Sequence, residues 1–277
     1  MVCHTLDPAM PVLLRPDGTV QVGWDPRRAV VVRPPEGLTS VALADLLRAL
    51  QDGVSSGDLG DLAGRYGLAD IAALTSALTS TGVLRTERAP RAPRSATIRI
   101  HGRGPLSDLL TAALRCSGSH VVTSRLRHAA VGTTGTDLVV LSDFLVSDPH
   151  IVRELQAAGI PHLPVRIRDG VGLIGPLVLP GATSCLNCAD LHRGDRDPSW
   201  PAVATQLQGK VGTADRATVL ATAAVALDQV NRVVDAVRGD QRGNEPPPTL
   251  DATLEFDIAT RTTTVRRWTR HPRCGCE

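Results

Sequence analysis

Two close cysteine pairs, Cys185-Leu-Asn-Cys188 and Cys274-Gly-Cys276, are the residues of this chain best suited to chemistry, because together they can offer one metal ion four soft thiolate ligands. Such a set describes a closed structural zinc site. Catalytic zinc usually keeps an open position and draws His or carboxylate into its ligand set, so four thiolates argue for a staple and against metal catalysis. Two other readings stand beside this one. A Cys-x-x-Cys ahead of a short helical stretch (Ala189 to His192) could be a redox dithiol, or the thiols could be unrelated. His192 and His271 lie close enough in sequence to replace a thiolate. Arg193, Arg266, Arg267, Arg270 and Arg273 surround the pairs and are expected to balance the negative charge of a zinc–thiolate cluster. The remaining cysteines, Cys3 and Cys116, are expected to be a free terminal thiol and a buried one.

A second candidate is the glycine loop Gly102-Arg-Gly104-Pro-Leu-Ser107, which stands between a strand and a helix where a nucleotide fingerprint would lie. It lacks what nucleotide binding requires. Pro105 removes a backbone N–H at the helix start, and Ser107 replaces the glycine that permits close helix–strand packing. About twenty residues past the first glycine, where a carboxylate should hold the ribose, the chain reads Thr123-Ser-Arg-Leu126. Gly102 and Gly104 therefore read as a degenerate loop, and working ATP binding is not expected.

The elements that must position these residues fall on either side of a Pro/Arg run. That run predicts a domain at 1–88, a linker at 89–95 and a second domain at 96–277. In the first, three β-prone pieces (Val12 to Arg15, Thr19 to Gly23, Ala29 to Arg33) precede three helical patterns: Val41 to Leu50, Asp58 to Tyr66, and a third from Asp70 to near Gly82. Strands with three small helices suggest a winged helix-turn-helix. The third helix carries no Arg or Lys, which argues against DNA reading and leaves recognition of an extended peptide at a strand edge, or a plain packing role. The edge expected to receive a peptide is Val30, Val31 and Val32, facing the helix of Leu74 and Leu78.

In the second domain, strands at Ala96 to His101, His120 to Leu126, Asp137 to Ser142, Leu163 to Ile167 and Gly172 to Leu179 alternate with helices at Leu106 to Arg115 and Ser147 to Gly159. This is the pattern of a largely parallel, Rossmann-like sheet. An alanine-rich helix from Asp215 to Arg238 should cover a sheet face or a dimer seam, and Thr249 to Trp268 reads as a hairpin turning near Ala259-Thr260.

Composition narrows the rest. The chain has 277 residues, 42% of them hydrophobic and 2% aromatic, with a net charge of +2. That small charge and the scarcity of stacking side chains argue against a nucleic-acid partner. No stretch approaches a membrane span and no basic-then-apolar signal opens the chain, so a reducing cytoplasm is the expected location.

The winged-helix front end, the degenerate Gly-x-Gly-Pro-Leu loop, the stretch Gly175-Pro-Leu-Val-Leu-Pro-Gly-Ala-Thr-Ser-Cys-Leu-Asn-Cys188 and the terminal His271-Pro-Arg-Cys-Gly-Cys276 resemble the ThiF-like cyclodehydratase proteins of thiazole/oxazole-modified peptide biosynthesis, within the ubiquitin-activating-enzyme-like superfamily. The resemblance implies an α/β fold, with a winged helix followed by a ThiF-type Rossmann-like domain, and zinc ligation by Cys185, Cys188, Cys274 and Cys276. It also implies binding of a precursor-peptide leader, presentation to a separate YcaO-type ATP-dependent enzyme, and homodimer formation. The chain departs from adenylating ThiF-type enzymes in lacking an aspartate after the second strand and an Asn-x-x-Arg-Gln group, and its terminal pair is Cys-x-Cys where Cys-x-x-Cys is usual. An ATP-dependent adenylating enzyme and a winged-helix regulator are the alternative functions.

Overall fold

The computed structural model describes residues 2–68, 70–88, 95–126, 135–238 and 246–276. The chain divides into two compact units, Met1–Arg91 and Ala92–Glu277. Of the expected linker, only Ser95 lies among the described residues.

The first unit runs β1 (Val2–Leu6), β2 (Val12–Leu14), β3 (Val20–Val22), β4 (Val30–Val32), α1 (Ser40–Gln51), β5 (Val54–Ser55), α2 (Leu59–Tyr66), α3 (Ile71–Ser80) and β6 (Leu84–Arg88). Apolar residues at helical spacing on α1 put Leu43, Leu46, Leu47 and Leu50 on one buried face. The helix starts at Thr39, whose side chain accepts from the Ala42 amide at 3.1 Å. Asp70 caps α3 in the same way through the Ala73 amide at 2.9 Å. Two sheets result, β2-β3-β4 and β5-β1-β6. The second was not anticipated: β1 and β6 pair across about eighty residues of sequence, a non-local match that neither segment signals alone.

The second unit comprises β7 (Thr97–His101), α4 (Pro105–Cys116), β8 (His120–Ser124), β9 (Leu138–Ser142), α5 (Pro149–Ala157), β10 (His162–Arg168), β11 (Val171–Ile174), α6 (Leu186–Arg196), α7 (Trp200–Leu207), α8 (Arg216–Arg238), β12 (Ala252–Asp257) and β13 (Thr262–Arg267). They form a seven-stranded sheet in the order β13-β12-β11-β10-β9-β7-β8. Strands β8, β7, β9 and β10 run parallel, whereas β11, β12 and β13 join antiparallel, so the sheet is mixed where a largely parallel one was expected. The strand expected over Gly172 to Leu179 stops at Gly175, because that residue turns to φ 97° and an added Cβ would meet the Ala252 carbonyl at 2.5 Å.

Every residue of β9 is buried, with Leu138 and Val140 facing one core and Val139 and Leu141 the other. On the first side α8 places Ala223, Ala226, Val230 and Val234 against the sheet beside Leu110 and Leu114 of α4. Of the two roles expected for α8, covering a sheet face is thus the one its buried residues perform. On the second side, Ile151 and Leu155 of α5 pack with Val178, Leu186 and three of the clustered cysteines.

Candidate metal centre and glycine loop

Cys185 is the N-cap residue of α6 and Cys188 lies in its first turn, which places both thiols at the positive end of the helix dipole. The loop ahead of them is latched by Asp251, which accepts from the Ser184 amide at 2.6 Å and the Ser184 hydroxyl at 2.7 Å. The terminal pair arrives after β13. Trp268 anchors this return, its amide donating to the Asp251 carbonyl at 2.8 Å and its indole N–H to Thr253 Oγ1 at 2.9 Å.

The four sulfurs meet. Sγ–Sγ separations are 3.7 Å for Cys185–Cys188, 3.5 Å for Cys185–Cys274 and 3.4 Å for Cys188–Cys276, and all four atoms lie within 4.8 Å of one another. Four sulfurs held tetrahedrally at about 2.3 Å from one zinc ion would be about 3.8 Å apart, so the donor set fits a single ion. The separations are far longer than a disulfide bond. Burial pushes the Cys276 thiol up to about 11, with the neighbouring thiols of Cys188 and Cys274 adding to it, and burial likewise raises Cys185. A bound cation supplies the charge that reverses this tendency.

The histidines that could have replaced a thiolate are engaged elsewhere. His192 Nε2 lies 3.0 Å from the Thr269 carbonyl, and His271 Nε2 lies 2.8 Å from Asp195. That hydrogen bond, with Arg273 beside it, holds the Asp195 carboxyl below the usual carboxylate range. Four of the nearby arginines have partners other than sulfur: Arg193 pairs with Asp190, Arg266 with Glu255 and Arg273 with Asp195, while Arg270 donates at 2.5 Å to the Gly181 carbonyl. A polar side chain that donates to the cluster is Asn187, whose Nδ2 lies 3.2 Å from Cys274 Sγ. Cys3 is half-buried, and Cys116, expected to be buried, is exposed at the end of α4.

At the glycine loop the structure adds a residue that sequence reasoning missed. Asp143 follows β9 at φ 70° and is buried, and its carboxylate accepts from the amides of Leu106 and Ser107, each at 3.0 Å, and from the Ser107 hydroxyl. These are the free N–H groups of the first turn of α4, the place where a phosphate would bind in a nucleotide-binding relative. An added Cβ at Gly104 would lie 2.7 Å from the Asp143 carboxylate, and one at Gly102 would strike the Ser142 carbonyl. Both glycines are therefore accounted for by close approach to the chain itself. Asp143→Ala should cost more stability than Asp143→Gly, because both lose the cap, worth about 1–2 kcal/mol, whereas only alanine must also adopt the left-handed backbone. Chemical denaturation of the two variants checks the order.

The sequence-predicted peptide edge lies apart from these features in the first unit. Val30 and Val32 pack on the core and Val31 is 49% exposed. Strand β4 pairs with β3 along one side, and no other described strand covers its second side. Leu74 and Leu78 are 7% and 2% exposed and belong to the same core.

No protein-family profile matches the chain, and no curated protein matches it. Solved structures do. A heterocyclase in complex with substrate and cofactor matches with a TM-score of 0.67 at 16% identity, covering 100% of this chain and 39% of that one. The chain shares its fold with that part of the heterocyclase. The heterocyclase TruD matches at 0.66 and 17% identity, over 100% of this chain and 43% of its own. E. coli MccB with ATP matches at 0.58 and 11% identity, over 99% of both chains. The chain thus spans about two fifths of the length of the two heterocyclases, and at these identities the likeness establishes the fold alone. No helix among the described residues is long and apolar enough to cross a membrane.

Proposed function

We propose that this chain is a zinc-stapled, non-adenylating scaffold that binds a precursor peptide and presents it to a separate ATP-dependent partner enzyme of the YcaO type. Zinc, held by Cys185, Cys188, Cys274 and Cys276, supplies rigidity in this reading and takes no part in chemistry. The first unit acts as a winged-helix module, and the peptide pairs as an added strand with the open side of β4. A heterocyclase solved with substrate and cofactor contains this fold within 39% of its own chain, which supports a role for the fold beside a separate catalytic part. A second copy would pair through the outer face of α8, where Leu220 is 48% exposed. A reducing cytoplasm would keep the thiols available to the metal.

The observation that carries the non-adenylating part is the Asp143 carboxylate on the first-turn amides of α4. The match to MccB with ATP over 99% of both chains favours a second reading, ATP-dependent adenylation. Pyrophosphate exchange with candidate precursor peptides separates the two: exchange by the purified chain overturns the scaffold. For the peptide edge, Val31→Pro removes a backbone donor from β4 and should weaken precursor-peptide binding at least about tenfold. Val31→Glu keeps every donor and separates ladder loss from a changed surface. Unchanged affinity in a cooperatively melting V31P protein rules the β4 site out.

A further inference from the structure

The second unit contains an open cavity of about 1210 Å³ between the sheet and the α6–α7 region, walled on one side by Cys185, Cys274 and Cys276. Six arginines line it against three aspartates, and an apolar strip that includes Val152, Leu173, Val203 and Leu207 runs along it. Two of the arginines, Arg168 and Arg266, share Glu255 at 3.1 and 3.0 Å, and Arg193 is held by Asp190 at 2.8 Å.

Arg166 differs. It projects from β10 into this cavity, is half-buried, and has no hydrogen-bond or ion-pair partner among the described residues. Burial first, and then repulsion from Arg193, bring its guanidinium down to about 10 against the weaker pull of the Asp190 carboxylate. An unpaired, partly desolvated cation is costly to maintain, and the arrangement gains most from an anion that supplies two oxygens in the plane of the guanidinium fork.

We propose that this cavity binds a carboxylate-bearing segment of a peptide, with Arg166 holding the carboxylate and the apolar strip taking the neighbouring side chains. The assignment rests on the peptide-presenting reading above. A peptide suits the site better than a nucleotide for three reasons. The volume exceeds the range of about 300–1,000 Å³ usual for small-molecule pockets, so an extended ligand fits. Three of the six arginines are already engaged by Glu255 and Asp190, which leaves few free guanidiniums for the several oxygens of a polyphosphate. Finally, the first-turn amides of α4 already hold Asp143.

The test uses the full chain in its metal-loaded form. The probes are short peptides in three versions: acetylated and amidated with one glutamate, the same with glutamine in its place, and the glutamine version with a free C-terminal carboxylate. ATP and inorganic phosphate are added as competitors. The glutamate peptide, the free-terminus peptide or both should bind at millimolar concentration or tighter, and the relative affinity of these two tells side-chain from terminal carboxylate. The amidated glutamine peptide should bind at least about tenfold more weakly. Arg166→Met should abolish that preference while melting no lower than the parent, because it removes an unpaired, half-buried charge. Arg166→Lys should restore part of it, without the bidentate geometry. Equal binding of all three peptides, a preference unchanged in R166M, no binding of either carboxylate peptide at millimolar concentration, or displacement by ATP or phosphate at lower concentration would each overturn the assignment. Loss of the preference in R166M alongside unaltered precursor binding in V31P would keep this site while removing the β4 reading.

Discussion

Cys276→Ser should release the metal and loosen the whole C-terminal return. The parent is expected to carry one zinc per chain by elemental analysis, and the variant close to none, since three thiolates and a hydroxyl bind zinc far less tightly. Structural zinc is worth on the order of 10 kcal/mol in small metal-folded peptides; here a large core shares the load, so a loss on the order of 4 kcal/mol and a Tm lowered by about 10 °C are expected. The effect should be local as well as global. Among the described strands the exposed β13 pairs only with β12, so the terminal cysteines and Trp268, together with the Arg270–Gly181 and His271–Asp195 contacts, keep its return seated. Limited proteolysis should then cut at 258–261 and beyond 268 in C276S, while the first unit stays resistant. Cys188→Ser should be at least as damaging, since Cys188 is fully buried, whereas Cys274 is half-exposed and its replacement should cost less. A parent without stoichiometric metal, or a C276S variant that retains it, removes the staple.

The second large effect is a loss of stability in acid centred on His162. This side chain is fully buried at the start of β10; its Nδ1 lies 2.9 Å from the Ile160 carbonyl and its Nε2 faces no partner. The contact with Ile160 assigns the proton of the neutral ring to Nδ1. Burial brings the imidazole down from 6.5 to about 4, although the carbonyl contact works in the opposite sense. Because the folded value lies below the unfolded one, the unfolded chain takes up the proton first as pH falls. The stabilisation is therefore complete above about pH 6.5 and is lost between 6.5 and 4, amounting to about 3 kcal/mol. Urea unfolding of the parent and of His162→Phe at several pH values checks this. The parent should lose that much more stability over the window than the variant. Thiolate-bound metal is also stripped by acid, but from the same ligands in both proteins, so the difference isolates the histidine. Parallel pH profiles would show that His162 is charged or hydrated in the fold.

The cysteine centre was legible because spacing and side-chain chemistry are local properties: two short pairs state a ligand set before any fold is known. The same holds for α1, α3, α5 and α8, whose period or capping residues stand in the sequence, as with Pro149 in the first turn of α5. What escaped was non-local. Strands β1 and β6 are ordinary segments until they meet, and α7 buries no side chain, so it carries no amphipathic signal. The antiparallel entry of β11 depends on a tight turn at Asp169 and Gly170, both with positive φ, which a strand pattern alone does not reveal. Asp143 is the sharpest case. Nothing in Ser142-Asp-Phe144 announces that its carboxylate will reach back 37 residues to cap α4, so the glycine loop could be read as deficient without its replacement being seen.

That cap has a kinetic meaning. A group tethered to the same polypeptide competes at a local concentration in the millimolar range or above, whatever the surrounding solution contains. Any free phosphate arriving at the end of α4 must evict a rival that cannot diffuse away, so metabolite levels have little leverage over that corner of the molecule.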